Sequence, residues 1–269
     1  MYIDSHAHLF KEDFGRDLGE VISRARDAGV ERIVVPGTNE KTSREGLELA
    51  ERYEFIYACV GIHPHEALRV TDKLLAEIES MANHQKVVAI GEIGLDYHYD
   101  FSPREQQIAA FNELMALAIR KDLPIVVHTR ESLKDTVEIV DQLVLDHPRW
   151  KNANSEAKRE GAPLRGVFHC FTGSASDALG LFGKGFFVSY PGIVTFKNSP
   201  VLAPLTQIGY QHILLETDSP YMAPVPLRGK RNEPANIVHI GKKISEIFNV
   251  SESEVANVTT VNARKLFGL

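Results

Sequence analysis

The chain has 269 residues, of which 43% are hydrophobic and 25% charged, and a formal net charge of −6. These proportions are those of an ordinary soluble globular protein and exclude disorder, a coiled coil, collagen and a membrane protein as the dominant description. The acidic excess argues against a protein that coats duplex DNA through many phosphate contacts, but not against an enzyme that grips one strand end.

Two cysteines, Cys59 and Cys170, sit in apolar stretches, which fits reduced thiols better than a disulfide framework. The first residues carry no basic region followed by an apolar run, and no apolar stretch approaches the length of a membrane span. The expected location is the cytoplasm. No linker or low-complexity stretch divides the chain, so residues 1–269 are expected to form one domain.

In chain order, apolar runs occupy Tyr2–Leu9, Arg32–Thr38, Ile56–Pro64, Val87–Asp96, Pro124–Arg130, Arg165–Gly173, Phe186–Gly192 and Ile213–Pro220. Their lack of strict alternation predicts strands buried on both faces. The stretches between them read mostly as helices. Leu18, Val21, Ile22, Ala25 and Ala28 recur at helical spacing before Gly29, a C-terminal stop. Ser102-Pro103-Arg104-Glu105 predicts a capping box, and Ser251 with Glu254 predicts another. Alternating strands and helices imply parallel strands with right-handed crossovers. Eight such units predict a (β/α)8 TIM barrel, with a doubly wound open sheet as the alternative. The polar stretch Asp146–Arg165 reads as a solvated insertion before the sixth strand.

The ends of these runs hold the polar residues. His6 and His8 lie two apart on the first predicted strand and so share a face. Glu92 and Asp96 lie toward the end of the fourth, His128 and Arg130 end the fifth, His169 the sixth, and Glu216 and Asp218 the eighth. Any single histidine here reads equally well as a hydrogen-bonded core residue. Jointly, four imidazoles and two carboxylates on one rim predict a metal site. Six ligands exceed the needs of one ion; with Glu92 as a bridge they suit two ions about 3.5–4 Å apart, which activate water toward phosphorus or a carbonyl. One ion would take His6, His8 and Asp218, and the other His128 and His169.

The ordered motifs DSHAHL, GIHPH, GEIGLDY, VVHTR, HCFTG, LLETDSPY and RGKRNEP, with Asn262–Phe267 at the end, resemble the TatD-type metal-dependent deoxyribonucleases of the metallo-dependent hydrolase superfamily. The resemblance implies a (β/α)8 barrel that hydrolyses DNA phosphodiesters as a 3′–5′ exonuclease on single-stranded ends. It carries the metal ligands onto His6, His8, Glu92, His128, His169 and Asp218. Many relatives in the superfamily bridge their metals with a carboxylated lysine; a glutamate at position 92 fits the nuclease branch. The stretch Asp146–Arg165 is longer than the resemblance leads one to expect.

Catalytic roles are expected for Asp218, which binds metal and takes a proton from water, and for Glu92. His63 reads as a phosphate contact or a loop brace, and His65 as either. Arg130, in phase with His128, and Arg231, in a locally basic run after the eighth strand, are expected to bind phosphate. Phe171 or Tyr221 could stack on a base or simply pack. Glu216 and Asp96 read as ligand-orienting or structural. The ions are expected among magnesium, manganese, zinc, nickel and cobalt, the imidazoles favouring the softer ones. Single-stranded DNA ends are the expected substrate, with no membrane or protein partner. A carboxylic ester or amide, such as an aminoacyl-tRNA, is the competing substrate class, and a non-catalytic barrel the third reading.

Overall fold

Every predicted apolar run overlaps a strand, the second strand beginning at Val30, two residues before its run, and all eight strands are parallel. The computed structural model describes residues 1–146 and 165–269. Its strands are β1 (Tyr2–Asp4), β2 (Val30–Val35), β3 (Ile56–Val60), β4 (Val87–Asp96), β5 (Ile125–Arg130), β6 (Gly166–Phe168), β7 (Phe186–Tyr190) and β8 (Ile213–Leu215). They pair in sequence order from β1 to β8. The described helices are α1 (Lys11–Phe14), α2 (Leu18–Asp27), α3 (Glu40–Arg52), α4 (Asp72–Met81), α5 (Arg104–Lys121), α6 (Leu133–Asp146), α7 (Ala175–Gly183), α8 (Leu202–Ile208), α9 (Ile237–Phe248) and α10 (Glu252–Phe267). This is a (β/α)8 barrel. The predicted insertion at Asp146–Arg165 falls on residues 147–164, outside the described residues. No described helix is long and apolar enough to cross a membrane.

Alternating side chains divide the strands between two cores. Ile33, Val35, Ile56, Ala58, Val60, Ile90, Ile93, Ile125, Val127, Phe168, Val188, Ile213 and Leu215 pack outward with the surrounding helices. Ile3, Val34, Cys59, Ala89, Val126, Val167, Phe187 and Leu214, one from each strand, form a second cluster inside the barrel. Ala263, Leu266 and Phe267 of α10 join that inner cluster and close it from below.

Most strands are shorter than the apolar runs, although β4 matches its run from Val87 to Asp96. β1 stops at Asp4, where the chain turns toward β8: Ser5 N–H donates to Leu215 O (3.0 Å), while Ala7 N–H still reaches Val34 O of β2 (3.1 Å). Pairing resumes only as an isolated bridge between Ala7 and Ser219. His6 and His8 therefore sit beyond the strand on which they were predicted, as His169 does after β6 and Asp218 after β8. The same segments close the barrel: Asp218 N–H donates to His6 O (2.9 Å), and His8 N–H to Ser219 O (2.7 Å).

Local signals set most helix ends. Gly29, at φ +82°, takes the left-handed turn after α2 that a side chain would oppose. Asn39 and Thr42 form a capping box on α3. Ser251 caps α10 by accepting from Glu254 N–H, while the Glu254 side chain turns to the Tyr210 hydroxyl. The capping box expected at Ser102 does not form. Its hydroxyl accepts from Leu68 N–H (3.0 Å) and donates to His65 O (2.9 Å), bracing the loop after β3 instead.

Candidate metal centre

Two residues beyond the inner apolar layer, on the same face of β5 to β8, the barrel interior becomes polar. His128 follows Val126, His169 follows Val167, Ser189 follows Phe187 and Glu216 follows Leu214. On β3 and β4 the same step reaches Gly61 and Gly91. A Cβ on Gly91 would lie 2.6 Å from Val126 Cβ, and one on Gly61 2.7 Å from the Gly91 carbonyl carbon. Any side chain at either position would collide with the neighbouring strand.

Glu92 reaches the interior through a bulge. Ile90 pairs with Ile125 but Ile93 with Val127, so β4 carries one residue more than β5 between them. Both isoleucines face the outer core. The extra residue turns Glu92 inward, the usual effect of a bulge beside a functional site.

Around Glu92 the two carboxylate oxygens face different groups. Oε2 lies 3.3 Å from His6 Nε2 and 3.6 Å from His8 Nε2, and these two nitrogens are 3.1 Å apart. Asp218 Oδ1 completes that side, 3.4 Å from His8 Nε2 and 3.9 Å from His6 Nε2. Oε1 lies 2.9 Å from both His128 Nδ1 and His169 Nε2, and 3.4 Å from His63 Nε2. Three sets of potential ligand atoms converge within 4.8 Å: His6 with His8 and Glu92; His6 with His169 and Asp218; His63 with Glu92 and His128. The His6 and His169 rings stack at 4.0 Å.

Charge on these groups follows from their neighbours. Burial pushes the Glu92 carboxyl upward, but the imidazoles of His169 and His63 outweigh it and hold the group well below its ordinary range. Asp218 is also raised by burial and lowered further by His8 and His6, so it stays ionised. Burial and the nearby His169 bring His6 down to about 4. For His169 burial acts downward too, yet Glu92 overrides it and raises the group to about 9.

Does this arrangement fit metal ions? His6 Nδ1, His169 Nδ1 and Glu92 Oε2 are buried without a hydrogen-bond partner. Unpaired buried polar atoms are costly, and here they surround converging imidazole nitrogens, a donor set suited to a divalent cation. The residues fit.

A further set of groups orients the first. Asp96 Oδ2 lies 3.1 Å from His128 Nε2 and 2.9 Å from His65 Nε2, while Gln107 holds Asp96 through both its N–H (2.8 Å) and its C=O (2.9 Å). Glu216 accepts from Cys170 N–H and from the Ser189 hydroxyl, each at 2.6 Å, and lies 3.9 Å from His169 Nδ1. Asp4 accepts from Thr217 N–H (2.9 Å), the Thr217 hydroxyl (2.6 Å) and His6 N–H (3.3 Å), tying the His6 segment to the Asp218 segment. Asp4 and Gln107 were missed in the sequence. The signal for Asp4 was an acidic residue inside an apolar run, two before a histidine.

The residues expected to bind substrate divide. His63 lies against Glu92, close enough to count with the ligands, and His65 braces Asp96. Arg130 lies at the rim with its guanidinium 4.8 Å over the Tyr99 ring. Arg231 is not presented to the centre: it forks onto Asp17 (2.9 and 2.5 Å), donates to Asp13 O (2.8 Å) and covers Phe14. Phe171 is buried beside Tyr190 and cannot stack on a base, whereas Tyr221 is exposed with its ring 5.9 Å from that of His8.

A (β/α)8 barrel whose C-terminal mouth gathers imidazoles around one buried carboxylate is the architecture of a metal-dependent hydrolase. The model of the family of TatD related DNases matches residues 3–268, and the chain belongs to that family. It is 42% identical to an uncharacterised metal-dependent hydrolase, YabD, of Bacillus subtilis, over 99% of both chains. It is 33% identical to the 3′–5′ ssDNA/RNA exonuclease TatD of Erwinia tasmaniensis, again over 99% of both. Among solved structures it superposes on the TatD homologue YjjV of Escherichia coli with a TM-score of 0.88 at 28% identity, covering 100% of this chain and 98% of that one.

Proposed function

We propose that this metal-dependent hydrolase removes nucleotides from the 3′ ends of single-stranded DNA, and that residues 1–269 work as one domain in the cytoplasm. The observation that carries the reading is the division of Glu92, with separate imidazole sets converging on its two oxygens. That division supports two divalent ions, drawn from magnesium, manganese, zinc, nickel and cobalt. His6, His8 and Asp218 with Glu92 Oε2 would hold one, and His128 and His169 with Glu92 Oε1 the other. When bound, such ions supply Lewis acidity toward a phosphodiester oxygen and make water nucleophilic at neutral pH.

The chain's own residues do the rest. Asp218, ionised and more open to solvent than Glu92, takes the proton from the attacking water. Asp96 and Glu216 hold the rings of His128 and His169 in place. Relatives named as single-strand exonucleases support the substrate class.

The test uses protein stripped by chelation and reloaded with one metal at a time. It should release mononucleotides from a linear single strand and leave a covalently closed circle intact. Equal cutting of circle and linear strand would refute the end-dependent reading. Release of amino acid from charged tRNA, with no mononucleotide from DNA, would replace the phosphodiester with a carboxylic ester.

A further inference from the structure

Large exposed apolar side chains are unremarkable when scattered and informative when gathered. On one side of the metal centre they are gathered. Leu68, in the turn after β3, is 61% exposed; Tyr99 and Phe101, between β4 and α5, are 43% and 61% exposed. The Tyr99 and Phe101 rings lie 5.4 Å apart at 35°, and the His65 ring stands 5.5 Å from the first and 4.8 Å from the second. Arg130 lies over Tyr99, and among the described residues its guanidinium has no carboxylate partner.

The supports of this patch are those of the centre itself. Asp96 Oδ1 accepts from His98 N–H (2.9 Å) and Tyr99 N–H (3.2 Å), while its Oδ2 serves His128 and His65. Ser102 ties the Phe101 side of the loop to Leu68 and His65. One carboxylate therefore places both a ligand histidine and an aromatic ring that faces solvent. Folding alone gives no reason to hold two rings outward with a guanidinium over the first of them. Single-stranded nucleic acid does: every base has a face that stacks, and a guanidinium serves the phosphate beside it.

We propose that Tyr99 and Phe101 form a stacking shelf for one nucleobase of the strand whose 3′ end lies at the metals, with Arg130 on the adjoining phosphate. The proposal rests on the function proposed above and adds the place where a base is held. The shelf reads no sequence, since stacking accepts any base.

The test combines three measurements on the metal-loaded, full-length protein. In the first, Tyr99→Ala with Phe101→Ala should raise KM for a single strand by about 5- to 100-fold, the range for one lost stack, with a smaller change in kcat. Leu179→Ala, an equally exposed side chain on α7, serves as the control. Tyr99→Phe with Phe101→Trp should restore KM, which loss of structure would not allow. In the second, an abasic residue is moved along the strand from its 3′ end. One position should raise KM for the wild type and have no further effect in the double-alanine variant. The third places 2-aminopurine at that position in an uncleavable phosphorothioate strand; the wild type should quench it and the variant should not. A KM shared by wild type and variant, or abasic penalties that persist in the variant, would overturn the shelf. If the wild type cleaves no strand, the proposed function fails, and 2-aminopurine alone decides the shelf: quenching by both proteins, or by neither, overturns it.

Discussion

The barrel interior holds two layers, separated on β5 to β8 by a step of two residues, and they obey opposite rules. In the lower layer Ile3, Val34, Cys59, Ala89, Val126, Val167, Phe187 and Leu214 meet with no polar side chain among them. In the upper layer His128, His169, Ser189 and Glu216 occupy the same faces, joined by Glu92 from its bulge. The backbone direction and the inward parity are shared, so the difference belongs to the side chains and to the strand ends. Below, removing apolar surface from water contributes roughly 25 cal/mol per Å² and needs no partner. Above, buried carboxylates and imidazoles oppose folding unless each finds another group, and three of their atoms find none. The cost is confined to the mouth, where the strands end and the chain is free to turn.

The sharpest way to break this comparison is one substitution in each layer. Glu92→Gln keeps the shape but removes the charge that both imidazole sets face. Loss of a residue that merely orients a ligand costs about 10- to 100-fold, so loss of the shared carboxylate should cost more than about 100-fold in metal affinity and activity. The variant should still unfold cooperatively. Phe187→Ala should do the reverse, destabilising the fold by about 3–5 kcal/mol and sparing the activity of each folded molecule. Metal content by mass spectrometry and thermal unfolding, measured on both proteins, separate the two effects. If Glu92→Gln retains full metal and activity, the upper layer is not a metal centre.

A smaller effect is expected one shell out. Asp96→Asn removes the charge that His128 and His65 share, and metal affinity should fall by about 10- to 100-fold without loss of the barrel. Isothermal titration with manganese reads the change. An unchanged affinity would reduce Asp96 to a loop brace.

The lower layer was nearly all legible in the sequence, and the upper one in part. Strands covered on both faces read as continuous apolar runs, which is why all eight could be found. The six expected ligands stood out because each lies toward the polar end of such a run. Strand limits were legible for β4, whose run is the strand itself, but not for β1, because Ala7 and Leu9 stay buried beyond its end at Asp4. Nor was the bulge at Glu92, since nothing in Gly-Glu-Ile-Gly says that β5 lacks a matching residue. Asp4 was hidden because its partner, Thr217, is 213 residues away, and Arg231 was misread because Asp17 lies 214 residues away. Ser102 followed a valid capping pattern, but the loop after β3 offered its hydroxyl other partners. Local pattern finds periodicity and caps; it does not find pairings that the closed barrel creates.

Two arginines expected to meet phosphate give the finest test of that limit. Arg130 lies over Tyr99 with no carboxylate partner among the described residues, whereas Arg231 is neutralised in its fork on Asp17. For single strands each neutralised phosphate contributes about 0.7 to the slope of log affinity against log salt. Arg130→Ala should therefore flatten the slope by about 0.7, and Arg231→Ala should leave it where it was. The fork has its own signature. Hydrogen bonding from Arg231 holds the Asp17 carboxyl below its ordinary value, against a slight opposing effect of desolvation. A carboxyl lowered by folding adds stability at pH above its unfolded value, and that stability is lost as pH falls through the folded value. Asp17 is exposed, so the change in stability is small, and its titration is better read from the carboxyl carbon by nuclear magnetic resonance. The midpoint should lie below the ordinary aspartate value in the wild type and rise toward it in Arg231→Ala, with Arg24 still holding it down in part. An Asp17 midpoint that stays put, or a salt slope that falls as much for Arg231 as for Arg130, would return Arg231 to the substrate side of the barrel.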